Sequence, residues 1–307
     1  MPVNPSEQSK TSATGDISPP VAVTIDDVRS AVAKARSETA IRVGFVPTMG
    51  SFHEGHLSLM RSARSECDFL VVSIFVNPIQ FGAGEDYDSY PEDFDRDLSQ
   101  AGDQGVDLVF APRSAVMYPP GNETRIDVGS IDNALCGKNR PGHFQGVATV
   151  VAKFFNIIRP ELAYFGQKDA QQVAVIRKMA LDLDFDIEIR VCPIVREKDG
   201  LAMSSRNSYL TEEDREHATA LYRALKGARD AVARGETSSR KIKRHMKRSL
   251  GENFKVEYEY ARIVDPATMA PVEKIEGKVL AAVAAQVGKT RLIDNMFLTP
   301  GEDLCGE

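Results

Sequence analysis

His53 and His56 stand three residues apart in Val46-Pro47-Thr48-Met49-Gly50-Ser51-Phe52-His53-Glu54-Gly55-His56, two of the chain's five histidines inside one glycine-punctuated turn. The turn follows an apolar run at 41–46 and leads into Leu57-Ser58-Leu59-Met60, the start of a helix. A strand that turns directly into a helix offers free backbone N–H groups and the positive end of the helix dipole to an anion. Gly50 and Gly55 put no Cβ between the main chain and a ligand. Residues three apart on a helical turn share a face, so paired imidazoles here suit a phosphate whose charge builds during a reaction. The turn reads as a nucleotide-handling site. Zinc fits poorly, because His-x-x-His is not the His-Glu-x-x-His of a metalloprotease and no nearby Cys or His completes a ligand set. The plain alternative, two histidines that merely begin a helix, stays open.

Other residue types converge on the same chemistry. Gly166-Gln167-Lys168-Asp169 follows an apolar run and opens a helix, placing the Lys168 ammonium where a nucleotide phosphate would sit. Met203-Ser204-Ser205-Arg206-Asn207 offers two hydroxyls and a guanidinium, groups suited to clamping a leaving pyrophosphate. Arg140, in Arg140-Pro141-Gly142-His143, is a further cation. Asn77 and Gln80, in Phe75-Val76-Asn77-Pro78-Ile79-Gln80-Phe81, and Gln172 beyond Lys168 are amides among apolar neighbours. They either orient a small hydroxylated acid or serve as satisfied structural amides. Asp97 and Gln100 share a helical face and are the candidate magnesium ligands, against the plainer reading of exposed helix polarity.

The elements that must position these groups follow from hydrophobic patterning. Apolar, strand-like runs at 42–46, 69–76, 107–111, 162–165 and 187–191 alternate with helical patterns at 55–65, 93–104, 146–158 and 170–183. Continuous apolar strands separated by helices predict an α/β fold, a parallel sheet covered on both faces. Ligands in such sheets lie beyond the carboxyl ends of the strands, where the stretches at 47–56, 77–81 and 166–172 all fall. Past Pro193 the pattern changes to a polar loop at 195–209, a helix at 211–234, a basic helix at 239–249, and strands at 255–264, 278–283 and 291–295. The expected division is a Ser/Pro/Thr-rich disordered leader at 1–20, a Rossmann-like nucleotide- and substrate-binding domain at 21–194, and a small C-terminal α+β lid domain at 195–307. A length of 307 residues suits two domains. The net charge of −6 argues against a general nucleic-acid binder. Arg240, Lys241, Lys243, Arg244, Lys247 and Arg248 spread around their helix without interleaved aromatics, which reads as a solvated surface. Four scattered cysteines with no Cys-x-x-Cys fit a reducing cytoplasm, and no apolar run approaches the ~20 residues of a membrane span.

In this order, Pro47-Thr48-Met49-Gly50-x-x-His53-Glu54-Gly55-His56, Phe75-Val76-Asn77-Pro78-x-Gln80-Phe81, Arg140-Pro141-Gly142-His143-Phe144, Gly166-x-Lys168-Asp169-x-Gln171-Gln172 and Asp199-Gly200-Leu201-Ala202-Met203-Ser204-Ser205-Arg206-Asn207 resemble the pantothenate synthetase (pantoate–β-alanine ligase) family. The match runs from about 22 to 297 and ends in Thr290-Arg291-Leu292-Ile293-Asp294-Asn295. The first motif also resembles the His-x-Gly-His pattern of the nucleotidyltransferase superfamily, with Met203-Ser204-Ser205-Arg206 in the place of its second, mobile phosphate-binding pattern.

The resemblance implies ATP-dependent condensation of (R)-pantoate with β-alanine, giving pantothenate, AMP and pyrophosphate through a pantoyl adenylate, with Mg2+. It also implies a Rossmann-like N-terminal domain that binds nucleotide and pantoate, a small C-terminal domain and a cytoplasmic homodimer serving vitamin B5 and coenzyme A biosynthesis. Carried over by motif, Met49, Gly50, Ser51, Phe52, His53, Glu54, Gly55, His56, Gly166, Gln167, Lys168, Asp169, Val195, Met203, Ser204, Ser205 and Arg206 would bind ATP. His56 is the implied proton donor, and His53, Lys168, Ser204, Ser205 and Arg206 would share the catalytic work on the phosphates. Gln80 would touch pantoate and β-alanine and Gln172 would hold pantoate, with Asn77 and Arg140 completing that half of the site. Two rival classes use parts of the same pattern: an adenylyltransferase acting on a phosphorylated cofactor, and a non-catalytic nucleotide sensor. The chain departs from the family at Gln167, where many members have Glu, at Ala170, where many have an aromatic, and at Arg96, where some carry an aspartate beside the one matching Asp97.

Overall fold

The computed structural model describes residues 18–38, 41–251 and 256–301. In its N-terminal part β1 (Val21–Ala22) leads to α1 (Ile25–Glu38), β2 (Val43–Thr48), α2 (Glu54–Glu66), β3 (Phe69–Ile74), α3 (Phe94–Asp103), β4 (Leu108–Phe110), α4 (Ser114–Met117), α5 (His143–Ile158), β5 (Leu162–Gly166), α6 (Ala170–Asp182) and β6 (Glu188–Cys192). The six strands form one parallel sheet in the order β1-β4-β3-β2-β5-β6. Alternate side chains explain why the strand runs are apolar throughout. Phe45, Val71, Phe110, Ala163 and Phe165 enter the core under α1, α5 and α6. Val46, Leu70, Val72, Val109, Leu162 and Tyr164 enter the core under α2 and α3. Strand order reverses between β2 and β5, so the chain leaves those neighbours toward opposite faces and opens a crevice at their carboxyl ends.

The C-terminal part holds α7 (Glu212–Ala218), α8 (Ala220–Ala233), α9 (Ser239–Gly251) and the antiparallel sheet β7 (Val256–Val264), β8 (Val279–Val287), β9 (Thr290–Leu298). This sheet is buried on both faces. Ala261, Ile263, Ala281, Val283 and Ala285 pack with α8 and α9, while Tyr260, Val264, Leu280, Ala282 and Ala284 join the core of the parallel sheet. That double burial accounts for the unbroken apolar run of β8, unusual in an antiparallel strand. Ile242, Met246 and Leu250 are the buried stripe of α9, and Arg240, Lys241, Arg244 and Arg248 are exposed.

Several boundaries differ from the sequence expectation. The single helix expected over 211–234 is interrupted at Thr219, whose hydroxyl donates to Glu216 O and competes with the helical ladder. β8 and β9 run longer than expected because they pair along their whole length to the tight turn at Gly288. β1 and α1 were not among the expected runs. The expected leader falls mostly outside the described residues, but Pro19 is buried and Pro20 O accepts from Val109 N, so those two belong to the sheet edge. Cys67, Cys136 and Cys192 are buried free thiols. Among the described residues no helix is long and apolar enough to cross a membrane.

Phe154 sits at the centre of the core beneath the crevice, with its ring 5.4 Å from Phe45, 6.2 Å from Phe75 and 6.0 Å from Phe110. Replacing it with alanine should lower the unfolding free energy by about 3–5 kcal/mol, read from urea melts.

Candidate active site

β2 ends at Thr48, and the next four residues set the geometry of everything above them. Gly50 takes φ +84° and Ser51 φ 54°, both left-handed. A Cβ on Gly50 would stand 2.9 Å from Asp97 Oδ2, so position 50 needs glycine on two counts. Ser51 tolerates its unusual backbone because its N–H donates to Asp97 Oδ2 at 2.7 Å, while Phe52 N–H donates to Asp97 Oδ1 at 2.7 Å. Asp97 is only 2% exposed, and burial pushes its pKa above the ordinary carboxylate value against the pull of those two amides.

Asp97, expected with Gln100 as a magnesium ligand, here holds the loop. Both carboxylate oxygens of Asp97 serve the loop, Gln100 Oε1 is buried without a hydrogen-bond partner, and no group of three His, Cys, Asp or Glu among the described residues is arranged to hold a metal. Asp97 positions the turn from below.

His53 is the N-cap of α2. Its Nδ1 accepts from Gly55 N–H at 3.1 Å, and His56 Nδ1 accepts from His53 N–H at 3.4 Å, a reciprocal capping box built from imidazoles. The ring centroids are 4.1 Å apart. Gly55 makes this possible, since a Cβ there would lie 2.8 Å from His53 Cε1. The amides at 51, 52, 53 and 55 are therefore all committed within the protein, in contrast to the free N–H groups expected from sequence. What the turn presents instead is imidazole. A ring whose Nδ1 accepts an N–H carries its proton on Nε2, so both rings are neutral Nε2–H donors. Burial, then the positive charge of Lys168, lowers the His53 pKa to about 4. Burial, then His53 and Lys168, holds His56 well below its ordinary value.

His53, His56, Lys168 and Arg206 all line one cleft of about 230 Å3 at the β2–β5 crevice, together with Met49, Gly55, Gly166, Asp169, Val195, Met203, Ser204 and Ser205. Lys168 is held by the short turn between β5 and α6, and its nearest carboxylate contact among the described residues is Asp169 at 3.9 Å. The expected polar loop at 195–209 begins as a tight hairpin, with Met203 N–H donating to Val195 O and Arg196 bridged to Ala202. It delivers Ser204, Ser205 and Arg206 to the rim. Arg206 makes a bidentate pair with Asp86 at 2.9 and 2.8 Å, which keeps its guanidinium charged. Gly50, Ser51, Phe52, Glu54 and Gln167 do not line the cleft. Phe52 is buried in the core, Glu54 pairs with Arg61, and Gln167 bonds to Asn295.

At the far wall, Gln80 Oε1 accepts from Asn77 Nδ2 at 3.0 Å, leaving Gln80 Nε2 against Met49 Sδ at 3.2 Å. A thioether is a weak acceptor, so a ligand oxygen would readily replace it. Asn77, 2% exposed, also donates to Gly146 O and accepts from Tyr118 OH. Asn77 lines the cleft as well and fixes the aim of Gln80. Gln172 lines the same cleft. Arg140 lines the same cleft. It pairs bidentately with Glu85 at 2.6 and 2.5 Å and donates to His143 Nε2 at 2.9 Å. His143 in turn donates from Nδ1 to Gln80 O, and burial with the adjacent Arg140 lowers its pKa to about 4.

Sequence reasoning did not find Glu85, Asp86, Tyr90 or the function of His143. Tyr90 OH lies 3.4 Å from Ser205 Oγ. The only local signal was the acidic, aromatic stretch at 85–95, whose partners lie 55 and 120 residues away.

Two measurements check this arrangement. Gly55→Ala should drive the His53 ring out of its cap and cut turnover by about tenfold or more, a lost transition-state contact, with a loss of about 1 kcal/mol in unfolding free energy for the missing cap. His53 and His143 bind protons more readily unfolded than folded. Their stabilisation is present above pH 6.5 and is lost as pH falls toward about 4. His53→Asn, which keeps an N-cap acceptor but cannot titrate, should show a shallower fall in urea-unfolding stability from pH 7 to 4.5.

Residues 20–297 match the Pantoate-beta-alanine ligase family. The pantothenate synthetase of Caldicellulosiruptor saccharolyticus is 53% identical over 274 residues, covering 89% of this chain and 97% of its own length. That of Thermotoga neapolitana is 56% identical over 256 residues, covering 83% and 91%. Among solved structures, pantothenate synthetase from Thermus thermophilus superposes with a TM-score of 0.87 at 44% identity, covering 92% of this chain and 100% of that one. A Francisella tularensis pantoate-beta-alanine ligase complexed with beta-gamma ATP and beta-alanine superposes with a TM-score of 0.72 at 35% identity, covering 91% and 97%. Matched in sequence and in fold across nearly its whole described length, the chain belongs to the pantoate-beta-alanine ligase family.

Proposed function

We propose that this chain forms pantothenate from (R)-pantoate and β-alanine, and that it does so by using ATP to make a pantoyl adenylate. The observation that carries the reading is the single cleft in which His53, His56, Lys168, Ser204, Ser205 and Arg206 face Gln80 and Gln172. One side is built for a polyphosphate and the other for a small polar acid. The Francisella relative complexed with beta-gamma ATP and beta-alanine supports the pairing of nucleotide and amine.

A carboxylate resists amine attack because its charge is delocalised and oxide is a poor leaving group. In the first step the pantoate carboxylate oxygen attacks the α-phosphorus of ATP in line, a new O–P bond forms, and the bond to pyrophosphate breaks. Negative charge spreads over the phosphate oxygens and meets the Nε2–H donors of His53 and His56, the Lys168 ammonium and the Ser204 and Ser205 hydroxyls. Arg206, now on Asp86, would exchange that carboxylate for phosphate, which offers the same planar, bidentate match. In the second step the β-alanine amine attacks the acyl carbon, AMP leaves with the shared oxygen, and the amine proton passes to solvent. Gln80 Nε2 is aimed to hold a substrate oxygen at the acyl end. Magnesium, implied by the family resemblance, finds no fitting carboxylate in Asp97, and no step above is routed through it.

His56→Ala should reduce pantothenate formation by about 100-fold or more, the scale of a lost oxyanion-type donor; turnover near the wild-type rate would remove His56 from the chemistry. With β-alanine omitted, the enzyme should still exchange labelled pyrophosphate into ATP when pantoate is present. Failure to exchange would exclude a discrete adenylate.

A further inference from the structure

Asp294 and Asn295 lie on β9, in the C-terminal sheet, yet both side chains reach the loops that carry the phosphate-facing groups. Asn295, 4% exposed, donates through Nδ2 to Gln167 O at 3.0 Å and to Lys168 O at 2.9 Å. Two carbonyl acceptors fix the orientation of the amide, so Asn295 Oδ1 faces Gln167 Nε2, which donates to it at 3.2 Å. The result is a reciprocal amide pair plus a second clasp on the Lys168 carbonyl. Asp294 grips the other loop, accepting from Arg196 Nη1 at 2.7 Å and Nη2 at 3.0 Å, and Arg196 also donates to Gly200 O inside the hairpin that delivers residues 203–206.

We infer that Asn295 is a positioning residue: through its clasp on the backbone of residues 167 and 168 it sets where the Lys168 ammonium stands in the cleft. The inference rests on the reading of Lys168 as a phosphate-binding cation. Gln167 is part of the device. A glutamate there would set a carboxylate oxygen against Asn295 Oδ1, and turning the Asn295 amide to meet it would forfeit both carbonyl bonds. The amide at 167 is thus matched to the amide at 295 in this chain.

The test is a double-mutant cycle with Lys168→Ala, Asn295→Ala and the pair, measuring kcat and the KM values for ATP and pantoate, with circular dichroism to verify folding. Asn295→Ala should raise the KM for ATP or lower kcat by about tenfold, on the scale that misplacing a catalytic group produces, and should leave the pantoate KM within about twofold. Added to Lys168→Ala it should cost little more, because both changes remove the same ammonium contact. Losses that simply add would show that Asn295 acts elsewhere and overturn the inference. Gln167→Glu provides a second arm should Asn295→Ala not fold; it should shift the ATP parameters in the same direction, again without effect in the Lys168→Ala background, and an unchanged ATP response would overturn the inference too. The two readings separate cleanly. If Lys168→Ala leaves ATP use intact, the phosphate reading itself falls; if Lys168→Ala is damaging and neither partner variant is, only the clasp falls.

Discussion

The capping of α2 is the constraint on which the rest of the site depends. A helix start carries unpaired N–H groups, and here the amides at 51, 52, 53 and 55 that lead into it are met by Asp97 and by two imidazole nitrogens. The consequence is chemical as well as structural. Each Nδ1 that accepts a backbone N–H forces the ring proton to Nε2, so the polarity of the helix start is passed through the imidazole and reappears several ångströms further into the cleft. The donors proposed to meet a phosphate are therefore rigid, uncharged and already oriented, which is the condition for electrostatic stabilisation without reorganisation at the moment of reaction.

The second constraint comes from the two-sided burial of the C-terminal sheet. Because β8 packs on α8 and α9 with one face and on the parallel sheet's core with the other, β9 is carried to the edge of the crevice. Its polar pair at 294–295 then holds both the Lys168 turn and the Arg196 hairpin. A cleft whose walls come from distant parts of the chain needs such a fixture, since neither the turn nor the hairpin is stiff enough alone to hold a charged group within hydrogen-bond tolerance of a substrate.

Burial on both faces made β2, β3 and β5 legible to within about two residues, because it writes an apolar run that needs no tertiary knowledge to read. The edge strand β6 showed itself through alternation of Ile189 and Val191 with Glu188 and Arg190. The two-residue β1 is too short to show any period. The histidine turn was legible as chemistry through its glycines, although its amides proved to be committed inward. Asn77 and Gln80 illustrate where spacing stops being informative. They are the same residue class on the same turn, and only Tyr118 and Gly146, 41 and 69 residues away, reveal that one is a fixture for the other. Asp97 was misleading for a related reason: a polar stripe on a helix looks alike whether it faces water or two buried amides. The carboxylates at 85 and 86 left only an acidic, aromatic stretch that does not say what they pair with, because an ion pair has no sequence period.

Those carboxylates also decide the resting charge of the cleft. Glu85 and Asp86 neutralise Arg140 and Arg206, and His53, His56 and His143 are held neutral by their surroundings. Among the cleft's cations this leaves Lys168, 3.9 Å from Asp169, as the least tightly paired. A cleft lined by three bare cations and three imidazolium rings would bind a triphosphate tightly in its ground state, and uniform tightness does nothing for the chemical step. With the arginines paired, ATP bound as proposed would displace a carboxylate to reach Arg206, and the desolvation and pairing of that guanidinium enter both before and after the exchange. The net gain on binding is accordingly small. The gain that grows as charge moves onto the departing pyrophosphate is not reduced in the same way, because phosphate oxygens become stronger acceptors than the carboxylate they replaced. Acidic residues inside the proposed phosphate site, which at first sight oppose its purpose, would thus shift binding energy from the substrate toward the transition state.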